Sequence, residues 1–246
     1  EDLNGVHIHF VGIKGTGMAA LVEVFFNKGA VITGSDVSEK FYTDEILQKL
    51  GIKALPFSED NISDDISYVV YSSAYKKDVN PDLIAAVKKN IPCILYTQAL
   101  GMYSALAYSC GICGVHGKTS TTGITGTILK ELPLPSQTLA GSIIKSFGDS
   151  CIYTSPLLSE SDKYKKNIFV AETCEYQRHF MSFHPEKIIL TSVEPDHQDY
   201  YPTYEDIRDA FVDYACLLPV NGDLIYCADD EGACEVSNIV KSKRSE

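Results

Sequence analysis

The stretch Gly111-Ile-Cys-Gly-Val-His-Gly-Lys-Thr-Ser-Thr-Thr122 decides how the second half of this chain folds. It reads as a buried strand running into a glycine turn, with Lys118 and a group of hydroxyls opening a helix. Such an arrangement suits a phosphate chain. Glycines let backbone N–H groups close around the anion, and the helix N-terminus adds about half a positive charge. Lys118 can reach the β- and γ-phosphates, and Thr119 can offer its hydroxyl to Mg²⁺. The spacing is G-x-x-G-K-T from Gly114; in the longer G-x-x-x-x-G-K-[ST] pattern the first glycine would fall on Ile112. A purely structural turn before a helix is the competing reading, and the strand before and helix after favour the phosphate site. The loop predicts an ATP site built from Gly114, Val115, His116, Gly117, Lys118, Thr119 and Ser120.

Downstream, Asn167-Ile-Phe-Val-Ala171 is a buried strand ending in Glu172-Thr-Cys-Glu175, and Lys187–Val193 is another ending in Glu194-Pro-Asp-His-Gln-Asp199. Carboxylates and hydroxyls at strand ends beside a phosphate loop suit Mg²⁺. Glu172, the first polar residue after its strand, is the best candidate. His197 is not of the type Mg²⁺ prefers, and on its residues alone it reads as a loop histidine. The helix after the loop, 117–131, presents Ile124, Ile128 and Leu129 at helical spacing. Pro133, Pro135 and Pro156, with the charged run Glu160–Lys166, predict a long irregular insertion. Thr203-x-x-Asp206 can cap a helix whose apolar stripe is Ile207, Phe211, Tyr214, Ala215 and Leu218. A strand over 223–227 and a helix into 240 follow.

Upstream, Val6–Val11 alternates and runs into Gly12-Ile-Lys-Gly15-Thr-Gly17, then a helical pattern to Lys28. This is the entrance to a dinucleotide-type βαβ unit, though the G-x-x-G-x-G spacing departs from the usual fingerprint. The strand Ala30–Gly34 leads to Asp36, which fits a ribose hydroxyl or a turn cap equally well. A helix over 43–50, a short strand near 52–56, and the strand Tyr68–Tyr71 continue the alternation. Ser72-Ser73-Ala74 then stands at a strand's carboxyl end, where open α/β sheets bind ligands. A helix over 81–90, a strand over 93–96 and a connecting helix over 97–106 complete the half. The βαβα order predicts an α/β protein of mostly parallel sheet. Its parts are a Rossmann-like domain, 1–106, and a truncated P-loop ATPase α/β domain, 107–246.

Composition bounds the partners. A net charge of −12 argues against nucleic acid, which is bound through excess Lys and Arg. Residues 90–115 carry no Asp, Glu, Lys or Arg, yet Pro92, glycines and hydroxyls interrupt them and they end in the phosphate loop. Neither membrane insertion nor a signal peptide is expected. The eight cysteines suggest reduced core residues and a cytoplasmic protein. Cys110 and Cys113 form a lone C-x-x-C without further zinc ligands at comparable spacing, and read as small residues on the strand feeding the loop.

Taken together, the motifs resemble the Mur ligases over essentially the whole chain. They are His9-Phe-Val-Gly-Ile-Lys-Gly-Thr-Gly-Met18, Gly34-Ser-Asp36, Ser72-Ser-Ala74, Gly114-Val-His-Gly-Lys-Thr-Ser-Thr-Thr122, Glu172-Thr-Cys-Glu175 and Val193-Glu-Pro-Asp-His-Gln-Asp-Tyr200. The resemblance implies that the first domain holds UDP-N-acetylmuramate. Its diphosphate would lie on Gly12, Lys14, Gly15, Thr16 and Gly17, and its uridine near Asp36, Ser72 and Ser73. The second domain would hold ATP, with Lys118 on the phosphates and Thr119 and Glu172 on Mg²⁺. His197 would join a second metal, and His116 would position the muramoyl carboxylate.

The implied reaction is ATP-dependent ligation of L-alanine to that carboxylate through an acyl phosphate, in peptidoglycan biosynthesis. A ligase attaching a tripeptide to the same sugar nucleotide, or a non-catalytic nucleotide-binding protein, would share these motifs. Lys14 and Ser192 depart from residues common in the family, glycine and asparagine respectively. The family's amino-acid-binding domain is not among these residues, so residues 1–246 alone are expected to bind nucleotide without ligating.

Overall fold

The computed structural model describes residues 3–158 and 167–244. The charged run Glu160–Lys166 therefore lies outside the described residues. Two compact units emerge, residues 1–99 and 100–246, and their boundary falls within one helix, Tyr96–Ser104.

The first unit is a wholly parallel four-stranded sheet. Its strands are β1 (His7–Val11), β2 (Val31–Ser35), β3 (Tyr68–Tyr71) and β4 (Cys93–Leu95), in the order β2-β1-β3-β4. Helix α1 (Thr16–Asn27) buries Met18, Ala19, Leu21, Val22, Val24 and Phe25. Helix α2 (Thr43–Lys49) follows β2, and α3 (Pro81–Lys88) starts on an Asn80 side-chain cap with proline at its first position. Val11, Ile62, Val69 and Leu83 pack in one cluster of this core. The strand expected over 52–56 reduces to a single bridge, Ser35 to Leu55. Because β1 pairs on one side with β2 and on the other with β3, the order in which strands are added reverses at β1, and its carboxyl end is the switch point where open α/β sheets bind ligands.

A polar chain runs through this apolar unit. His9, fully buried on β1, places Nδ1 2.9 Å from the Thr33 hydroxyl and Nε2 3.2 Å from Asp82. Asp82, equally buried, also accepts the Ser58 N–H (3.1 Å) and the Asn61 amide (2.8 Å). Both groups are satisfied, which makes the pair tolerable inside the unit.

The second unit is a six-stranded sheet in the order β10-β9-β5-β8-β6-β7. These strands are β5 (Tyr108–Cys113), β6 (Ser136–Ile144), β7 (Ser150–Thr154), β8 (Ile168–Glu172), β9 (Lys187–Leu190) and β10 (Asp223–Tyr226). Only β6 and β7 pair antiparallel. These two strands occupy the region expected to be an irregular insertion. Ser136-Gln-Thr reads as loop in sequence, but the residues are buried where β6 pairs in parallel with β8.

Helix α4 is Tyr96–Ser104, and α5, Lys118–Lys130, starts from Gly117. It turns Thr122, Gly123 and Gly126 inward, leaving Ile124 and Ile128 exposed. Of the expected apolar stripe, Ile124 and Ile128 thus face outward, whereas Leu129 packs against the Cys110, Ile112 and Val170 cluster. At Gly126 a Cβ would collide with Phe147, so close approach, not bulk, selects the inner face. The helix Tyr204–Ala215 has its Thr203/Asp206 capping box and buries Ile207, Phe211, Tyr214 and Ala215 as expected, with Tyr214 stacked on Phe180 at 4.3 Å. A last helix spans Glu231–Lys243. Among the described residues no helix is long and apolar enough to cross a membrane.

Replacing Asp82 by alanine strands the His9 ring and two N–H donors, and should lower unfolding stability by about 3–5 kcal/mol. Urea denaturation of Asp82→Ala against the parent measures this.

Candidate functional site

In the second unit β5 is the strand from which the sheet is extended in both directions, parallel to β8 on one side and to β9 on the other. The carboxyl ends of these three strands carry Gly114–Lys118, Glu172–Glu175 and Thr191–His197. Gly114 has φ +135°, and a Cβ there would fall on the Thr191 hydroxyl and the Ser192 backbone. Gly117, φ +82°, turns the chain into α5 without any side-chain cap. The Val115 N–H donates to the Ser192 carbonyl (3.0 Å) and the His116 N–H to the Ser192 hydroxyl (2.9 Å), which fixes the loop to the end of β9. The first-turn N–H groups of α5 receive no side-chain cap and lie at the positive end of the helix dipole, the setting that binds phosphate.

Lys118 folds back over the loop. Its amine donates to the carbonyls of Gly114 (2.5 Å) and Val115 (3.1 Å) and to Glu175 Oε1 (3.1 Å). Thr119 donates its hydroxyl to Glu172 Oε2 at 2.9 Å, and the same oxygen accepts the Gly141 N–H at 2.8 Å. Glycine at 141 leaves the space that this carboxylate fills. Ser120 is exposed on the first turn. His116 is exposed, its Nε2 3.4 Å from Glu194.

His197 has φ +52° and places Nε2 3.1 Å from Glu175 Oε1. Its ring packs against Tyr176 with centroids 4.9 Å apart. Glu175, Asp196 and His197 bring three ligand atoms within 4.8 Å of one another. Glu175, absent from the residues picked out in sequence, is the hub of this group. It is 1% exposed, and the left-handed residues Gln177 and Arg178 follow one residue after it. Non-glycine residues in that region cost about 1–3 kcal/mol each and collect at functional sites. The acidic cluster Glu172-Thr-Cys-Glu175 at the end of β8 is the sequence signal for this group, and within it the sequence singles out Glu172 and not Glu175. Thr191 and Ser192, which lock the loop, carried no sequence signal beyond Ser192's departure from the family.

Burial raises the thiol pKa of Cys110 to about 12 and raises that of Cys113 well above its ordinary value, so both stay protonated on the strand feeding the loop. Cys174 is exposed as a residue, yet desolvation of its thiol, reinforced by the Glu175 charge, also raises its pKa.

In the first unit the glycine turn follows β1. Gly12 has φ +86°, and a Cβ there would come within 2.6 Å of the Tyr75 ring; Gly17 lies as close to Tyr96. Gly15 precedes Thr16 as the uncapped start of α1. Asp36 is 7% exposed, and its carboxylate accepts the Lys14 N–H (2.7 Å), the Val37 N–H (2.8 Å) and the Tyr75 hydroxyl (3.0 Å). Desolvation and that bond push the Tyr75 phenol up to about 12. Lys14 points into the unit, its amine on the carbonyls of Val37 (3.0 Å) and Glu39 (2.9 Å). It straps the 37–44 segment to the turn, assisted by the Thr43 hydroxyl on the Lys14 carbonyl. Ser72 is half-buried, and Ser73 is exposed at the end of β3.

Residues 7–108 match the model described as Mur ligase family, catalytic domain, and residues 112–246 match the Mur ligase middle domain. The chain is 48% identical over 237 residues to the UDP-N-acetylmuramate–L-alanine ligase of Treponema pallidum, covering 96% of this chain and 47% of that protein. The enzyme of the same name from Borreliella burgdorferi is 41% identical over 248 residues, with 99% and 49% covered. The chain thus spans about half the length of the curated relatives it matches. Among solved structures, the UDP-N-acetylmuramate–alanine ligase of Thermotoga maritima superposes with a TM-score of 0.77 at 26% identity, covering 94% of this chain and 51% of that one.

Gly114→Ala should cost about 1–3 kcal/mol from backbone strain alone, and more from the collision with Thr191; thermal melts compare it with the parent. The elevated Cys174 pKa leaves little thiolate near neutral pH. Iodoacetamide labelling followed by peptide mass spectrometry should find Cys174 reacting slowly at pH 7, against a short unstructured cysteine peptide, and accelerating as pH rises.

Proposed function

This chain belongs to the Mur ligase family, and from that premise we propose that it carries the sugar-nucleotide and ATP sites of a ligase joining L-alanine to UDP-N-acetylmuramate. The observation that carries the reading is the meeting of Lys118, Thr119, Glu172, Glu175 and His197 around one phosphate loop. In the first unit, the turn Gly12–Gly17 and the start of α1 receive the diphosphate of the sugar nucleotide. Asp36 acts there by fixing the Lys14 backbone and Tyr75, and Ser72 and Ser73 lie at the neighbouring strand end. The setting is cytoplasmic peptidoglycan synthesis.

A carboxylate is a poor acyl donor, so one of its oxygens attacks the γ-phosphorus of ATP. The bond to the bridging oxygen breaks, and ADP departs. The amine of L-alanine then attacks the acyl phosphate carbonyl, loses a proton and expels phosphate. Positioning and neutralisation of charge dominate such a transfer. Lys118 supplies a fixed positive charge against the phosphates, and the uncapped start of α5 supplies N–H donors. His116, exposed on the loop, is placed to orient the incoming carboxylate.

The donor set fits Mg²⁺. The Thr119 hydroxyl and Glu172 carboxylate are hard oxygen ligands 2.9 Å apart, and Glu175, with a buried Oε2 that accepts no hydrogen bond, stands beside Asp196 and His197. When bound by these residues, the ion neutralises phosphate charge.

A phosphate-release assay on the whole protein tests the reading. Release should require ATP, UDP-N-acetylmuramate and L-alanine together, and Lys118→Ala should reduce it about 100-fold or more. Release driven by a tripeptide and not by L-alanine would reassign the acceptor. Absence of any carboxylate-dependent release would refute the ligase reading.

A further inference from the structure

Lys118 already has an anion. Its amine lies 3.1 Å from each carboxylate oxygen of Glu175, one a hydrogen bond and the other an ion-pair contact, besides its two loop carbonyls. The carboxylate cannot easily withdraw. The Glu175 carbonyl accepts the Tyr201 hydroxyl at 2.6 Å and the Arg178 N–H at 2.8 Å. Arg178 is itself held by Asp213 at 2.6 Å. Glu175 is 1% exposed, so water screens its charge little, and its remaining side-chain partner is His197.

We propose that Glu175 is a positioning residue that serves as a built-in anion, holding the Lys118 amine in place until a phosphate displaces it. The inference rests on the reading of Lys118 as a phosphate ligand and adds a competitor to that site. Two consequences follow from the geometry. A phosphate that takes the amine leaves the carboxylate with His197 alone, so part of the binding energy is spent separating the pair. Glu175 also lies close enough to repel the incoming anion. Glutamine at 175 keeps the shape and can still bond His197, but its neutral amide oxygen holds the amine less tightly than a carboxylate and does not repel phosphate. A merely structural Glu175 predicts the opposite, since loosening the loop would weaken anion binding.

The probe is inorganic triphosphate, titrated calorimetrically into the 246-residue chain in the presence of EDTA so that no metal contributes. Glu175→Gln should bind about tenfold more tightly than the parent, the fold-change one charge-assisted hydrogen bond is worth. Glu175→Asp keeps the charge and should stay near the parent, and Glu175→Ser, an independent removal of charge, should also tighten binding. Lys118→Ala should lose binding in every background. Unchanged or weaker binding in both uncharged variants, with Lys118→Ala still defective, would overturn the built-in anion and leave the phosphate site standing. Equal tightening in Glu175→Asp would overturn it too, because charge would not be the cause. Parent-like binding by Lys118→Ala would instead overturn the phosphate-site reading itself.

Discussion

Between Gly114 and the Thr191–Ser192 segment there is less room than a methyl group needs. The rest of the second unit's site depends on that contact. It lets the loop leaving β5 bond directly to the end of β9 through Val115 and His116, and the Lys118 amine closes the turn from the other side on the Gly114 and Val115 carbonyls. Gly117 can then start α5 in a left-handed conformation, with its first N–H groups unoccupied and Lys118 and Thr119 on the first turn. A larger residue at 114 would push β9 away, and with it His197.

Charge is organised by the same geometry. Parallel strands end on one edge, so the polar residues after β5, β8 and β9 converge although they are far apart in sequence. Glu172 is satisfied by Thr119 and the Gly141 N–H, whereas Glu175 is divided between Lys118 and His197. One carboxylate thus tunes a hydroxyl at the start of a helix, and the other links a lysine to an imidazole. In the first unit the corresponding strand-end aspartate, Asp36, is spent on backbone N–H groups and Tyr75, so the shape of the glycine turn depends on it.

The alternation of strand and helix, both glycine turns and the Thr203 capping box were legible because each is a local pattern, set by backbone freedom or by a side chain bonding its own neighbourhood. The failures share a cause. The strands Ser136–Ile144 and Ser150–Thr154 look like loop because prolines and a charged run flank them and the buried start of the first is Ser136-Gln-Thr138. On α5, Ile124 and Ile128 look like core residues but lie outside, because glycines and Thr122 take the inner face beside Leu129. In each case periodicity of bulk was the wrong variable, and closeness of approach was the right one.

Sequence alone determined that a phosphate loop follows a strand, that acidic residues follow two later strands, and that these motifs together resemble one ligase family. Spacing along the chain carries that information. Only the tertiary structure decided that Glu175 and not Glu172 meets Lys118, and that Lys14 turns inward to strap the 37–44 segment. Those outcomes depend on strand order and on the left-handed turns at Gln177, Arg178 and His197, which aim side chains across distances that no local pattern encodes.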